Sequence, residues 1–434
     1  MGLLLIKVIT KCNALYLDKP LLIFSMICLT CSCGSYSDRT KASRIALLQG
    51  RTQQALESLD TELNESSNEG NDVLLHLERG LARQQFGDYR GSSEDFMLAD
   101  ERLEVIDYTS TPIKELGTYL YSDDSAPYKA MSVEKAFVNV LNLVNFLLLK
   151  EWSKAKVEAR RLGVLESYWG ENLSDELKVE LAGLRRFVYW LTTFTYLVNE
   201  GEASAQKEAE RGGISFPFPP SRAQGEKFSP VLIISGAGMV PHKMTQRLPL
   251  GRALLYVGPS PHWTAEERSS LARIQAKGLV KWVNFTTLSP EVPALEEHIQ
   301  TGQMISKATA ELGLSQLIRA HFQRAQPLLM TAAISRLITR ALVGGITESA
   351  AKAKSNGAVG LLVSLIAEGA MASADTPDTR SWSSLPSMLR LYWLWLPPGR
   401  HELNVSRGSR MWRESVLVHG QGEPYIFHVP LSLP

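Results

Sequence analysis

One segment constrains the fold more than any other: HLERGLARQQFGDYRGSSEDFMLADERL, His76–Leu103. Apolar residues recur three and four apart on both sides of Gly87–Asp88, so the pattern predicts two antiparallel helices joined by a tight turn. Gly80 and Ser92 are small enough to let the helix backbones approach, and Phe96 is placed to fill the gap to a neighbouring unit. Such a hairpin cannot bury its faces alone. Further units of the same kind are expected to stack on it.

The spacing of Gly80, Gly87, Tyr89, Ser92, Phe96 and Ala99 resembles that of a tetratricopeptide repeat. Two weaker relatives share the offsets: Gly50, Ala55 and Leu59 in Gly50–Leu63, and Trp152, Ala155 and Ala159 in Lys150–Gly163. A further helical pair is expected over Leu177–Glu200. Residues 42–211 are therefore expected to form one helical domain, with Val105–Tyr128 as an inserted loop. The repeat likeness implies a concave surface that binds peptides or partner proteins.

The N-terminus carries a different signal. An apolar run, Pro20–Ser32, follows Lys7, Lys11 and Lys19 and ends in small residues. Its length fits a secretory signal peptide and is too short for a membrane span. The end of the run, LTCSCGS, resembles the lipobox of bacterial lipoproteins. Ser32–Cys33–Gly34 fits that motif, although Thr30 stands where the family has Leu; Cys31 is the other candidate. The resemblance implies lipidation of Cys33 and cleavage just before it, so that Cys33 becomes the mature N-terminus; residues 1–33 hold the signal peptide with its lipobox. Gly34 and Ser35 stand where inner-membrane lipoproteins carry Asp, which implies the outer membrane, facing the periplasm. Residues 34–41 would be a polar tether. All four cysteines lie within the first 33 residues, so the body beyond Cys33 has no thiol for a disulfide, a zinc site or nucleophilic catalysis.

Composition adds exclusions. A net charge of +1 gives no basic excess for nucleic acid. Four histidines, His242, His262, His298 and His321, show no metal-binding spacing. Gly236–Ala237–Gly238 follows a strand pattern but lacks the third glycine and the Lys-Ser/Thr pair of a phosphate loop, so it reads as a turn. No cofactor, metal or catalytic constellation is expected.

Residues 212–229 contain GGISFPFPP and mark a linker. Beyond it, 230–434 is expected to be an α+β domain. Val231–Ile234 reads as a buried strand, with Lys243–Leu250 as its pairing partner, and Trp282–Leu288 alternates as another strand. Ala294–Ala370 reads as helical, with Glu296–Glu297–His298 on its surface. Within it, Arg336 and Arg340 stand four apart on one face, an anion or partner site or else a solvated stripe. Asp375–Leu389 contains DTRSW, where Asp378 and Arg380 are spaced to pair across a turn and Trp382 to anchor it. Together these five residues form the candidate partner-binding set. Arg390–Val405 reads as strand, Pro-Pro-Gly turn and strand; both faces of the first strand are apolar, which predicts a central position. Two more alternating strands follow, giving a small antiparallel sheet or sandwich.

Taken together, the lipobox, the hairpins, DTRSW (Asp378–Trp382) and LWLPPG (Leu394–Gly399) are similar to a family of uncharacterised bacterial lipoproteins with tetratricopeptide-like N-terminal halves. The resemblance implies an architecture and an envelope location and brings no catalytic residues. The expected function is a non-catalytic scaffold, anchored to the membrane by lipid and binding envelope proteins through its repeats. The alternatives are a peptidoglycan- or glycan-binding module, using Trp382, Trp393, Trp395 and Trp412, and an envelope enzyme of unknown chemistry.

Overall fold

The computed structural model describes residues 35–65, 69–109, 128, 130–172, 175–220, 227–249, 282–327, 329–330, 332–334 and 377–432. Cys33 and the signal segment, most of the inserted loop expected at Val105–Tyr128, and Arg336 and Arg340 lie outside the described residues. The fold is α+β, with helices first and sheets after them. No described helix is long and apolar enough to cross a membrane.

The helical part runs α1 (Tyr36–Arg39), α2 (Lys41–Leu48), α3 (Thr52–Glu65), α4 (Glu69–Phe86), α5 (Tyr89–Thr109), α6 (Ser132–Leu148), α7 (Trp152–Asn172), α8 (Asp175–Glu200) and α9 (Glu202–Arg211). From α2 onward they pack as successive hairpins. Three hairpins share one turn, in which the first helix ends on a left-handed residue: Gly50 at φ 70°, Gly87 at φ 89° and Lys150 at φ 57°. In each, the next residue donates its N–H back to the last turn: Arg51 to Ala46, Asp88 to Arg83 and Glu151 to Phe146. Five and nine residues beyond the turn stand Ala55 and Leu59, Ser92 and Phe96, and Ala155 and Ala159, all buried. Lys150 occupies the position that favours glycine.

Close helix approach is visible at Gly80. A Cβ there would stand 2.7 Å from Phe96 Cε1, and Phe96 is itself fully buried. Gly80→Ala is therefore expected to overpack the hairpin and cost about 1–3 kcal/mol. A fall in thermal midpoint with unchanged far-ultraviolet circular dichroism would confirm it; an unchanged midpoint would contradict the packing role. The same hairpin is cross-linked by Asp95, which accepts from His76 Nδ1 at 2.9 Å, Arg79 Nη2 at 2.6 Å and Arg83 Nη1 at 2.9 Å. Burial pushes the Asp95 carboxyl up, but hydrogen bonds from His76 and Arg79 and the two guanidinium charges outweigh it and hold it below its usual value.

Ten strands follow. One sheet has the order β10 (Tyr425–Ser432), β1 (Ser229–Ala237), β7 (Met388–Leu396), β6 (Ala310–Gly313). A second has β5 (Met304–Ser306), β4 (Glu297–Thr301), β8 (Gly399–Arg407), β9 (Arg410–Val418). Strands β2 (Lys243–Pro249) and β3 (Trp282–Leu288) form a separate ribbon. All neighbours are antiparallel except β1 and β10, which run parallel.

The central place of β7 follows from its two apolar faces. Tyr392, Leu394 and Leu396 meet Val231 and Ile233 of β1 and Leu403, Val405, Val416 and Val418 of the second sheet. Leu391 and Trp393, on the other face, join the helical core with Leu232 and Ile234. The first sheet is thus a middle layer, with helices on one side and the second sheet on the other. Strand alternation, period two, is what allows one strand to serve two cores.

Four expectations need correction. Lys243–Leu250 does not pair with Val231–Ile234; the Lys243–Pro249 strand pairs with Trp282–Leu288, while β1 takes β7 and β10, two more apolar neighbours. Residues 297–313 form three short strands and their connections, and helix begins only at 314. Glu297, Ile299 and Thr301 alternate inward; Glu297 is buried because its cross-strand neighbour Arg407 takes its charge. Residues 35–41, read as a tether, are α1 and the start of α2. Their polar groups are met inside the fold, as where Ser37 N–H donates to Thr379 Oγ1 at 3.4 Å. The expected linker also packs: Ile214 and Phe216 are buried, and Phe216 meets Trp393 edge to face.

Candidate functional site

The helical hairpins present two surfaces. The first helices, α2, α4, α6 and α8, face the sheets. Arg44 of α2, Glu78 of α4 and Glu134 of α6 each reach the segment 378–387, which contains the DTRSW motif. Glu78 Oε1 accepts from Ser383 N and Ser383 Oγ, both at 2.7 Å, and Oε2 accepts from Ser384 N at 3.2 Å. Glu134 Oε1 accepts from Trp382 N at 3.1 Å, and its Oε2 accepts from Tyr128 Oη at 2.5 Å and Met131 N at 2.8 Å. Arg44 Nη1 donates to Ser383 Oγ at 3.4 Å. The α8 contribution is apolar: Phe194 and Trp190 pack edge to face on Trp393.

Burial sets the electrostatics of this junction. It pushes the Glu78 carboxyl up, against the Ser384 and Ser383 hydrogen bonds and the Arg44 charge. It also lowers Arg44, against Glu78 and Tyr36. The carboxylate meets three donors and a nearby cation, which is what keeps a group so deeply buried tolerable.

Of the five candidate partner residues, the structure brings three together here. Asp378 accepts from Arg380 Nε at 2.9 Å and Nη2 at 3.0 Å, so the expected pairing across the turn is present. Trp382 is 1% exposed and lies 5.8 Å from Phe96, centroid to centroid. Phe96 thus meets this indole rather than only a neighbouring repeat. With Trp382 and Trp393 buried, neither ring offers a face for a sugar to stack on.

The surface expected to bind a partner is therefore filled by the chain's own C-terminal part. The second helices remain outward. Between α5 and α7, over the end of α6, lies a groove of about 420 Å³ lined by Met97, Asp100, Phe146, Val157, Glu158 and Arg161, among others. Met97 and Val157 are exposed. Arg161 spans the groove, 3.2 Å from Asp100 and 3.8 Å from Glu158. Glu158 is 4% exposed; its Oε1 accepts from Asn142 at 3.1 Å, while its Oε2 has no hydrogen-bond partner among the described residues. Burial pushes the Glu158 carboxyl up, with Arg161 opposing. Sequence reading missed this groove because it depends on two second helices lying side by side. The apolar residues at Met97 and Val157, off the buried stripes of their helices, are the signal that was available.

Among the described residues one hydroxyl–imidazole pair occurs: Ser289 Oγ lies 2.8 Å from His242 Nδ1 and 3.1 Å from Pro290 O. Burial lowers His242 to about 4, with Arg44 adding to it. Ser289 N–H also donates to His242 O, so the pair clips the ends of β2 and β3 together. Among the described residues no cluster of histidine, cysteine and carboxylate groups could hold a metal ion. No family model matches the chain, and neither a curated protein nor a solved structure matches it.

Proposed function

We propose that this chain is a non-catalytic binding scaffold of the bacterial envelope, anchored by lipid on Cys33 and capturing another envelope protein in the α5–α7 groove. The lipobox resemblance supports the anchor. The groove carries the binding reading: exposed Met97 and Val157 flank a buried carboxylate with one oxygen unmatched. An occupant with an apolar side chain and a neighbouring Lys or Arg answers both features, because a cation relieves the cost of burying Glu158. The self-occupied inner face leaves the outer face as the repeat surface for partners.

Mass spectrometry of the mature N-terminus, beside a Cys33→Ala variant, tests the anchor; an unmodified N-terminus elsewhere would remove it. A photo-crosslinking residue at position 157 tests the groove in cells, with position 179 on α8 as the off-groove control. One envelope protein is expected from 157 and not from 179. Its affinity for the purified chain is expected to fall about tenfold in Glu158→Gln, the loss of one charged hydrogen bond. Equal labelling from both positions, or an affinity indifferent to Glu158, would reject the groove.

A further inference from the structure

A second cavity lies where the helices, the β2–β3 ribbon and the DTRSW segment meet. Its volume is about 300 Å³, at the small end of ligand sites. Its walls are mainly apolar: Met131, Leu288, Ile318, Phe322, Ala325 and Leu329. Its polar groups are Glu134, Lys243, His321, Ser381 and the Trp382 ring.

These polar groups are not equivalent. Glu134 is spent, since both oxygens already accept from Trp382, Tyr128 and Met131. Ser381 Oγ accepts from Lys243 N at 3.2 Å, which leaves its own proton to give. Burial lowers His321, and Arg324 and Lys243 lower it further against Glu134 and Glu180. Lys243 forms no ion pair among the described residues: Asp378, whose carboxyl it helps hold low, is bound by Arg380, and Glu180 is bound by Arg324. The Trp382 indole N–H has no acceptor among the described residues. Among the described residues the cavity therefore combines a greasy wall, a lysine that forms no ion pair and a hydroxyl that accepts one hydrogen bond and donates none.

We propose that this cavity binds a small amphiphilic carboxylate, its head on Lys243 and Ser381 and its apolar body against Ile318, Phe322 and Leu329. A single cation suits a monoanion. The site is independent of the α5–α7 groove, so either can fail without the other. It also gives the buried DTRSW segment a role beyond packing, because Ser381 and Trp382 form one wall.

Equilibrium dialysis of the purified full-length chain against labelled octanoate tests this, with octylamine, octan-1-ol, acetate and inorganic phosphate as comparisons. Saturable uptake of about one equivalent of octanoate is expected. Octan-1-ol, with the tail and no charge, is expected to bind more weakly; octylamine is expected to give no uptake because Lys243 repels its ammonium, and acetate and phosphate none because they lack the tail. Lys243→Met keeps the side-chain length and is expected to weaken octanoate about tenfold or more while leaving octan-1-ol unchanged. Ala325→Phe, which fills the cavity, is expected to remove both. Thermal midpoints of the variants separate loss of the site from loss of the fold. Absence of saturable octanoate uptake by the wild-type chain overturns the proposal. So does uptake indifferent to Lys243→Met in a variant that keeps its midpoint.

Discussion

Glu78→Ala is expected to cost about 3–5 kcal/mol, the penalty for breaking a buried charged cluster from one side. The truncation strands three donors at once: Ser383 N, Ser383 Oγ and Ser384 N. All belong to residues that are at most 1% exposed, so water does not replace the lost acceptor. Arg44, also buried, loses the opposing charge that acts on it most strongly. The effect reaches across the molecule, since Glu78 stands on α4 and the serines stand just before β7. Urea unfolding followed by tryptophan fluorescence and by far-ultraviolet circular dichroism measures it. A loss below about 1 kcal/mol would mean that the 378–387 segment is not held by α4.

The same residue sets a pH dependence. Burial raises the Glu78 carboxyl above its unfolded value of 4.5. Between the two values the folded chain binds more protons than the unfolded chain, so the contribution of this group is fullest below the unfolded value and is lost as pH rises through the folded one. Glu78→Gln removes that slope. It also turns an amide N–H₂ toward a donor, so it is expected to be less stable than wild type at acid pH and closer to it in alkali.

Arg407→Ala carries the second large effect, also about 3–5 kcal/mol. Arg407 of β8 and Glu297 of β4 are cross-strand neighbours that both point into the space between the sheets. Arg407 Nε and Nη2 donate to Glu297 Oε2 at 2.9 and 2.5 Å. From the facing sheet, Ser235 Oγ donates to Glu297 Oε2 at 2.7 Å and Tyr392 Oη donates to Oε1 at 3.0 Å. The Glu297 side chain is 0% exposed, so losing Arg407 leaves its charge with two neutral donors in an apolar core. His428 of β10 does not substitute for the cation: burial, then Arg407, lowers its imidazole to about 4.

The double variant Glu297→Leu with Arg407→Met is expected to recover most of the loss, because an apolar pair of similar volume carries no desolvation cost. A double-mutant cycle measured by urea midpoint gives the coupling directly. If the double variant is no more stable than Arg407→Ala, the pair is not what holds the two sheets in register.

Local sequence determined the helices, their hairpin turns and the central strand. Gly50 and Gly87 mark the turns because a left-handed residue is cheapest as glycine, and the buried positions five and nine residues later follow from helical period. The two apolar faces of Met388–Leu396 stated that something packs on each side of it. Tertiary structure decided what that something is. Residue Glu297 looked solvated because its partner Arg407 lies 110 residues away. Residues 35–41 looked like a tether because Thr379, which receives the Ser37 N–H, lies 342 residues away. The inner face of the hairpins looked open because Ser383 and Glu78 are 305 residues apart. A charge or hydroxyl carries no mark in the sequence of the distant group that will satisfy it, whereas an apolar stripe carries its periodicity with it. The chain by itself thus determined its elements and their faces. Only the folded structure decided that those faces close on each other.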